Sequence, residues 1–274
     1  MKKKILSFIC LLMLLPCFTG SAQKLTEVFY QPSASGLHER RMLVYLPEGY
    51  RSCNDRYPVL YMLHGARGNE LSWIMKGNTL HHIDSLTSTG AMKKTIVVFP
   101  NMNQYDDDKD YGSSRIKGAW ESFFEVDGSV EKAFVKDVVN LTDSLFRTIP
   151  DKSHRAIAGL SIGGMQTIYI SASNPDTFGY VGSFSPMVKS FIRKSPHSDF
   201  YKGIRRKLNE QFKDPPLLYW IMVGRMDFFE SHMDSYHHYL NEKGYPHQYY
   251  VSRGGHQWYN WKKYSIMFME NLWK

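Results

Sequence analysis

The chain has 274 residues, of which 43 % are hydrophobic and 22 % charged, with a formal charge of +8. That is the make-up of an ordinary globular protein with a sizeable core, and no repeat, low-complexity tract or Pro/Gly/Ser-rich linker divides it. Its basic residues are scattered without a block of like charge, which argues against nucleic acid as a partner.

Lys2, Lys3 and Lys4 precede an apolar run from Ile5 to Leu15, and Gly20-Ser21-Ala22 offers small residues for cleavage before Gln23. Residues 1–22 therefore read as a signal peptide and 23–274 as one exported domain, periplasmic or secreted. The apolar run is too short to span a bilayer, so no stable membrane insertion is expected after cleavage. A lipoprotein anchor on Cys17 is the lesser alternative, because Pro16 stands where a small residue is usual. Cleavage removes three lysines, lowering the charge from +8 by three to +5, and takes Cys10 and Cys17 with it. Cys53 then remains alone, which excludes an internal disulfide and a cysteine-based metal site.

Arg41 to Leu46 reads as a first strand stopped by Pro47, and the almost wholly apolar Tyr57 to Leu63 as a strand covered on both faces. A glycine-containing loop, His64 to Glu70, leads into a helix through Trp73. Thr95 to Phe99 is a third apolar run, followed by a polar segment from Asn101 to Gly118. Val130, Phe134, Val138, Leu141 and Leu145 follow helical spacing. Arg155 to Leu160 is a buried strand, and Tyr180 to Phe184 and Leu217 to Val223 are two more. A helix from about Glu230 to Lys243 ends at Gly244, His247 to Val251 is the last strand, and Trp258 to Trp273 the closing helix. Strands alternating with amphipathic helices predict one α/β domain with a mostly parallel sheet and helices on both faces.

Gly159-Leu160-Ser161-Ile162-Gly163 sits where strand turns into helix, the layout of a nucleophile elbow that exposes a serine at the sheet's C-terminal edge. Asp227 follows the Leu217–Val223 strand and His256 follows His247–Val251 in a glycine-flanked loop. The order Ser161, Asp227, His256 is the nucleophile–acid–histidine order of α/β-hydrolases. A serine hydroxyl attacks only when a histidine takes its proton, and a carboxylate must hold that ring's tautomer. Glu230 and Asp234 are the alternative acids, although both fall within the helix pattern. The oxyanion needs backbone donors, for which the Ile162 amide and one from the His64-Gly65-Ala66 loop, preferably Ala66, are available.

Pro58 to Gly65 with Trp73 downstream, Ala158 to Gly164, Ser183-Phe184-Ser185-Pro186 and Gly254-Gly255-His256-Gln257-Trp258 together resemble the esterase family of α/β-hydrolases. That family includes tributyrin esterases, feruloyl and acetylxylan esterases of carbohydrate esterase family 1, formylglutathione hydrolases and mycolyltransferases. The likeness is greatest to the tributyrin-esterase-like and feruloyl-esterase-like members. It implies the α/β-hydrolase fold, triad roles for Ser161, Asp227 and His256, and oxyanion roles for Ala66 and Ile162. It also implies a serine esterase that needs no cofactor or metal. The expected substrate is a short acyl, acetyl or feruloyl ester on a plant polysaccharide or oligosaccharide. Acyl transfer to a sugar and siderophore ester hydrolysis are the rivals on the same residues. Formylglutathione hydrolysis fits poorly with a leader, and a non-catalytic carbohydrate-binding protein fits poorly with three intact residues.

Ala119 to Lys136 departs from the family's compact helix entry. Its Trp120, Phe123 and Phe124, with Tyr111 upstream, suit an acyl pocket and core packing equally. His64 reads as a structural residue bonding loop backbone. The pairs His81-His82 and His237-His238 read as solvent-facing surface, since neighbours on a helix point apart. Asp106 to Asp110 reads as a solvated loop rather than a calcium site. Nothing in the charge pattern selects between monomer and oligomer.

Overall fold

The computed structural model describes residues 25–33, 39–103, 128–188 and 203–274. The leader, the acidic run Asp106 to Asp110 and the aromatic residues Tyr111, Trp120, Phe123 and Phe124 lie outside the described residues.

Eight strands form one sheet: β1 (Leu25–Tyr30), β2 (Arg40–Tyr45), β3 (Val59–Leu63), β4 (Ile96–Pro100), β5 (Arg155–Leu160), β6 (Tyr180–Phe184), β7 (Leu218–Gly224) and β8 (Gln248–Ser252). Their spatial order is β1-β2-β4-β3-β5-β6-β7-β8. β1 and β2 run antiparallel to their neighbours, and every pair from β4 onward is parallel. The central parallel strands β3 to β7 are buried along their whole length and mostly apolar because both of their faces are covered, whereas the parallel edge strand β8 is only partly buried. Tyr61, Ile157, Ile221 and Val223 pack on one side, with helices α3 (Ser129–Phe134), α5 (Ile162–Ser173), α6 (Ile204–Gln211) and α7 (Glu230–Glu242). Leu60, Ala158, Trp220 and Met222 pack on the other, with α1 (Ser72–Met75), α2 (Thr79–Ser88) and α8 (Trp258–Glu270). The period-2 alternation of side chains thus divides each central strand between two cores.

Four details differ from the sequence reading. β1 and α6 were not expected: β1 is a half-exposed edge strand, and half of α6 is charged (Arg205, Arg206, Lys207, Glu210). Tyr57 precedes the strand proper and makes one bridge to Thr148, since Pro58 offers no N–H to a ladder. Between α3 and α4 (Asn140–Leu145), residues Val135–Val139 form a π-helical turn. That turn shifts the helical phase, so Leu145 ends 53 % exposed rather than in the core. The closing helix stops at Glu270; Trp273 takes φ 64° and turns back to bond Thr95 Oγ1 through Nε1 at 2.9 Å, with its ring 4.9 Å from Tyr180.

Among the described residues, no helix is long and apolar enough to cross a membrane.

Candidate active site

Ser161 links β5 to α5 with φ 55° and ψ −118°, a left-handed backbone conformation that costs about 1–3 kcal/mol for a non-glycine residue. The surroundings hold it there. Its N–H donates to the Phe184 carbonyl at 2.8 Å, and its own carbonyl accepts the first helical bond from Met165 at 3.1 Å. The flanking glycines permit the sharp bend by close approach. A Cβ on Gly163 would lie 2.3 Å from the His64 carbonyl oxygen, and one on Gly159 2.4 Å from the Gly163 oxygen. No other residue fits at these two places without moving the oxyanion-side loop or the helix.

The acid and the histidine come from neighbouring loops at the ends of β7 and β8, and backbone bonds tie those loops together. Arg225 N–H donates to the Ser252 carbonyl (2.8 Å), and Met226 N–H to that of Gly254 (3.0 Å). The fully buried Asn260 holds the second loop from below, donating to the Gly255 carbonyl at 2.9 Å. Asp227, with its side chain wholly shielded, accepts the Phe229 N–H on Oδ1 at 2.9 Å. Both its oxygens lie 3.0–3.1 Å from His256 Nδ1, and His256 Nε2 lies 3.0 Å from Ser161 Oγ. A carboxylate only accepts, so Nδ1 carries the ring hydrogen and Nε2 presents a lone pair to the serine hydroxyl. The structure therefore brings Ser161, Asp227 and His256 into one line, with Asp227 rather than Glu230 or Asp234 against the ring.

Three aromatic rings fix the His256 plane: Phe228 at 4.4 Å between centroids, Phe229 at 5.3 Å and Trp261 at 4.9 Å, the last two nearly edge-on. Trp258 packs on both Trp261 and the buried Trp73, whose Nε1 donates to the Leu63 carbonyl. Phe228, Phe229, Trp258, Trp261 and Met187 line a cleft of about 340 Å³ that includes Ser161 and His256. Ala66 and Ile162 also line it, and Ile162 begins α5, where the first amides have no partner within the helix. The aromatic wall was missed from the sequence, although Phe228-Phe229 directly follows the candidate acid.

His64 is buried and held by backbone on both ring nitrogens, as its structural reading expects. His81 is exposed as expected, but His82 is half-buried, with its ring in edge contact with that of His81 at 5.7 Å and 61°. His237 corrects the surface reading. It is half-buried, stacked on Tyr249 at 4.4 Å, with Nδ1 2.8 Å from His247 Nε2. Among the described residues, no group of three His, Cys, Asp or Glu side chains converges as metal ligands would.

The family described as Putative esterase matches residues 33–266. An endo-1,4-beta-xylanase/feruloyl esterase of Xylanibacter ruminicola is 33% identical over 210 residues, covering 75% of this chain and 24% of that protein. The chain thus spans about a quarter of that relative's length. The solved ferulic acid esterase of family CE1 from the anaerobic fungus Anaeromyces mucronatus superposes with TM-score 0.74 at 21% identity, covering 90% of each chain. The enterobactin esterase of Shigella flexneri superposes with TM-score 0.69 at 15% identity, over 91% of this chain and 58% of that one. The chain belongs to the family described as Putative esterase and has the α/β-hydrolase fold.

Proposed function

We propose that this protein hydrolyses carboxylic esters through a Ser161–His256–Asp227 triad and an acyl-enzyme on Ser161. The observation that carries the reading is the continuous line from Asp227 through His256 Nδ1 and Nε2 to Ser161 Oγ, each step 3.0–3.1 Å long and opening into the cleft. Ser161 Oγ attacks the ester carbonyl carbon as its proton passes to His256 Nε2. The carbonyl oxygen becomes an oxyanion that the amides of Ile162 and Ala66 receive. Collapse of the tetrahedral intermediate breaks the acyl–oxygen bond, and the departing alcohol takes the proton from His256. A water then attacks the acyl-enzyme, again giving its proton to His256, which returns it to Ser161 as the carboxylic acid leaves. Asp227 stays ionised and stabilises the imidazolium in both halves.

The substrate proposed is a short acyl, acetyl or hydroxycinnamoyl ester on a plant polysaccharide or its fragments. The aromatic wall of Phe228, Phe229, Trp258 and Trp261 supports a flat acyl group, and the relative named as a feruloyl esterase supports the same class. The leader sequence supports export. The test uses protein from Gln23 onward and its Ser161→Ala variant against p-nitrophenyl acetate, butyrate and octanoate and methyl ferulate, with and without a sugar acceptor. Activity lost in Ser161→Ala supports the triad, and the preferred ester identifies the acyl class. A parent and variant equally inert on every ester would refute the reading, and acylated sugar in place of free acid would replace hydrolysis by transfer.

A further inference from the structure

The loop His64–Glu70 presents Ala66 to the cleft, and the end of β4 holds it through three consecutive residues. Asn101 Nδ2 donates to Glu70 Oε2 at 3.0 Å, the Met102 N–H to His64 Nε2 at 2.9 Å, and Asn103 Nδ2 to the Gly68 carbonyl at 3.0 Å. Arg41 completes the outer end, with Nε 2.8 Å from Glu70 Oε1. Accepting the Met102 amide leaves His64 Nε2 without a hydrogen, so the ring's hydrogen is on Nδ1. His64 Nδ1 lies 2.8 Å from the Gly65 carbonyl oxygen, which also accepts the Gly68 N–H at 3.1 Å. The fit is tight: a Cβ on Gly68 would stand 2.9 Å from that oxygen and 3.1 Å from His64 Nδ1.

The Gly65 carbonyl belongs to the same peptide as the Ala66 N–H. That unit is planar and trans, so its N–H points opposite its C=O. Two donors gripping the oxygen therefore fix the direction of the amide. They also polarise the peptide, which makes the Ala66 N–H a stronger donor. We propose that His64 is a positioning residue for the oxyanion site: through the Gly65 carbonyl it aims the Ala66 N–H at the oxygen that becomes negative. This rests on the ester-hydrolysis reading above and adds to it a buried imidazole outside the triad.

Asparagine and glutamine separate the two ring nitrogens. His64→Asn places an amide N–H where Nδ1 was and keeps the donor to Gly65. His64→Gln places its amide near Nε2, keeping a partner for Met102 while losing the donor to Gly65. The expected result on p-nitrophenyl butyrate is a kcat for His64→Gln lowered about 10- to 100-fold with KM little changed, in the range of a misaligned oxyanion donor. His64→Asn recovers most of that loss. A trifluoromethyl ketone, which forms the oxyanion on Ser161, loses affinity for His64→Gln in parallel, whereas the product carboxylic acid does not. Equal kcat in the two variants, or losses that follow their melting temperatures instead, would overturn the assignment. A parent inert on every ester would remove the ester reading alone. The positioning role is then read from the nitrogen-15 spectrum of the parent, where an Nδ1-protonated neutral His64 supports it and an Nε2-protonated ring overturns it.

Discussion

Replacing Asp227 by Asn changes almost no volume, yet the structure predicts a large loss of rate. Oδ1 of Asp227 is committed to the Phe229 N–H at 2.9 Å, and an asparagine keeps that bond by placing its carbonyl oxygen there. Its NH₂ group then occupies the Oδ2 position, 3.0 Å from His256 Nδ1. That NH₂ donor can face the ring only where the ring nitrogen accepts. The neutral Oδ1, 3.1 Å from Nδ1 and already bound to the Phe229 N–H, holds the ring hydrogen far less strongly than a carboxylate, so the hydrogen moves to Nε2. Nε2, 3.0 Å from Ser161 Oγ, then has no lone pair with which to take the serine proton. The wrong tautomer in a serine triad lowers kcat about 10⁴-fold, equivalent to about 5 kcal/mol of transition-state stabilisation. Steady-state kinetics on p-nitrophenyl butyrate, with thermal melting alongside, measure both effects. The expected result is a kcat lowered by that order, KM within a few-fold of the parent and a melting temperature within a few degrees of it. Glu230→Gln and Asp234→Asn should each keep most of the activity. An Asp227→Asn protein within about tenfold of the parent kcat, or a larger loss in Glu230→Gln, would refute the assignment of the acid.

Gly163→Ala forces a methyl group to 2.3 Å from the His64 carbonyl, and overpacking of this kind costs about 1–3 kcal/mol. At about 2–4 °C per kcal/mol, melting should fall by several degrees, and an unchanged melting temperature would show that the elbow is looser than described. Phe228 is 57 % exposed and lies 4.4 Å from His256, so Phe228→Ala should barely affect melting. Its kcat/KM for methyl ferulate should fall about tenfold more than for p-nitrophenyl acetate, the scale of one lost aromatic contact; equal losses would place the acyl group elsewhere. His237 is held below its ordinary pKa of 6.5, first by burial and then by His247 beside it. The unfolded chain therefore binds a proton that the folded chain resists, so stability declines as the pH falls through 6.5 toward the lower folded value. His237→Gln should melt with a shallower drop between pH 7.5 and 5.5, and identical slopes would remove His237 as a contributor.

How much of the molecule could be read from the sequence depended on whether the signal was local. β3, β5 and β7 are near-continuous apolar runs because they are buried on both faces, and Gly159-x-Ser161-x-Gly163 marks a turn that few other residues allow. The apolar strand runs before Ser161, Asp227 and His256, with their chain order, assigned all three to loops at strand ends. β1 was invisible because an edge strand half open to solvent needs no apolar run. The π turn at Val135–Val139 was invisible because spacing of three or four fits both phases of the helix, and only packing chooses between them. The aromatic wall joins Phe228, on the loop after β7, to Trp258 and Trp261 in the first turn of α8, and the hold on His64 comes from Met102, nearly forty residues away. Such long-range pairs leave no periodicity. His237 was misjudged for the same reason: its partners are His247, just before β8, and Tyr249, within it.

The central claim is that Ser161 carries the acyl group, and mass spectrometry of an acid-quenched reaction tests it most directly. Protein mixed with excess p-nitrophenyl butyrate and quenched during turnover is predicted to gain one butyryl group, mapped to the peptide containing Ser161. The parent should show it and Ser161→Ala should not, while Asp227→Asn should acylate far more slowly. Acylation of any other residue as the competent intermediate, or unimpaired turnover in Ser161→Ala, would contradict the account.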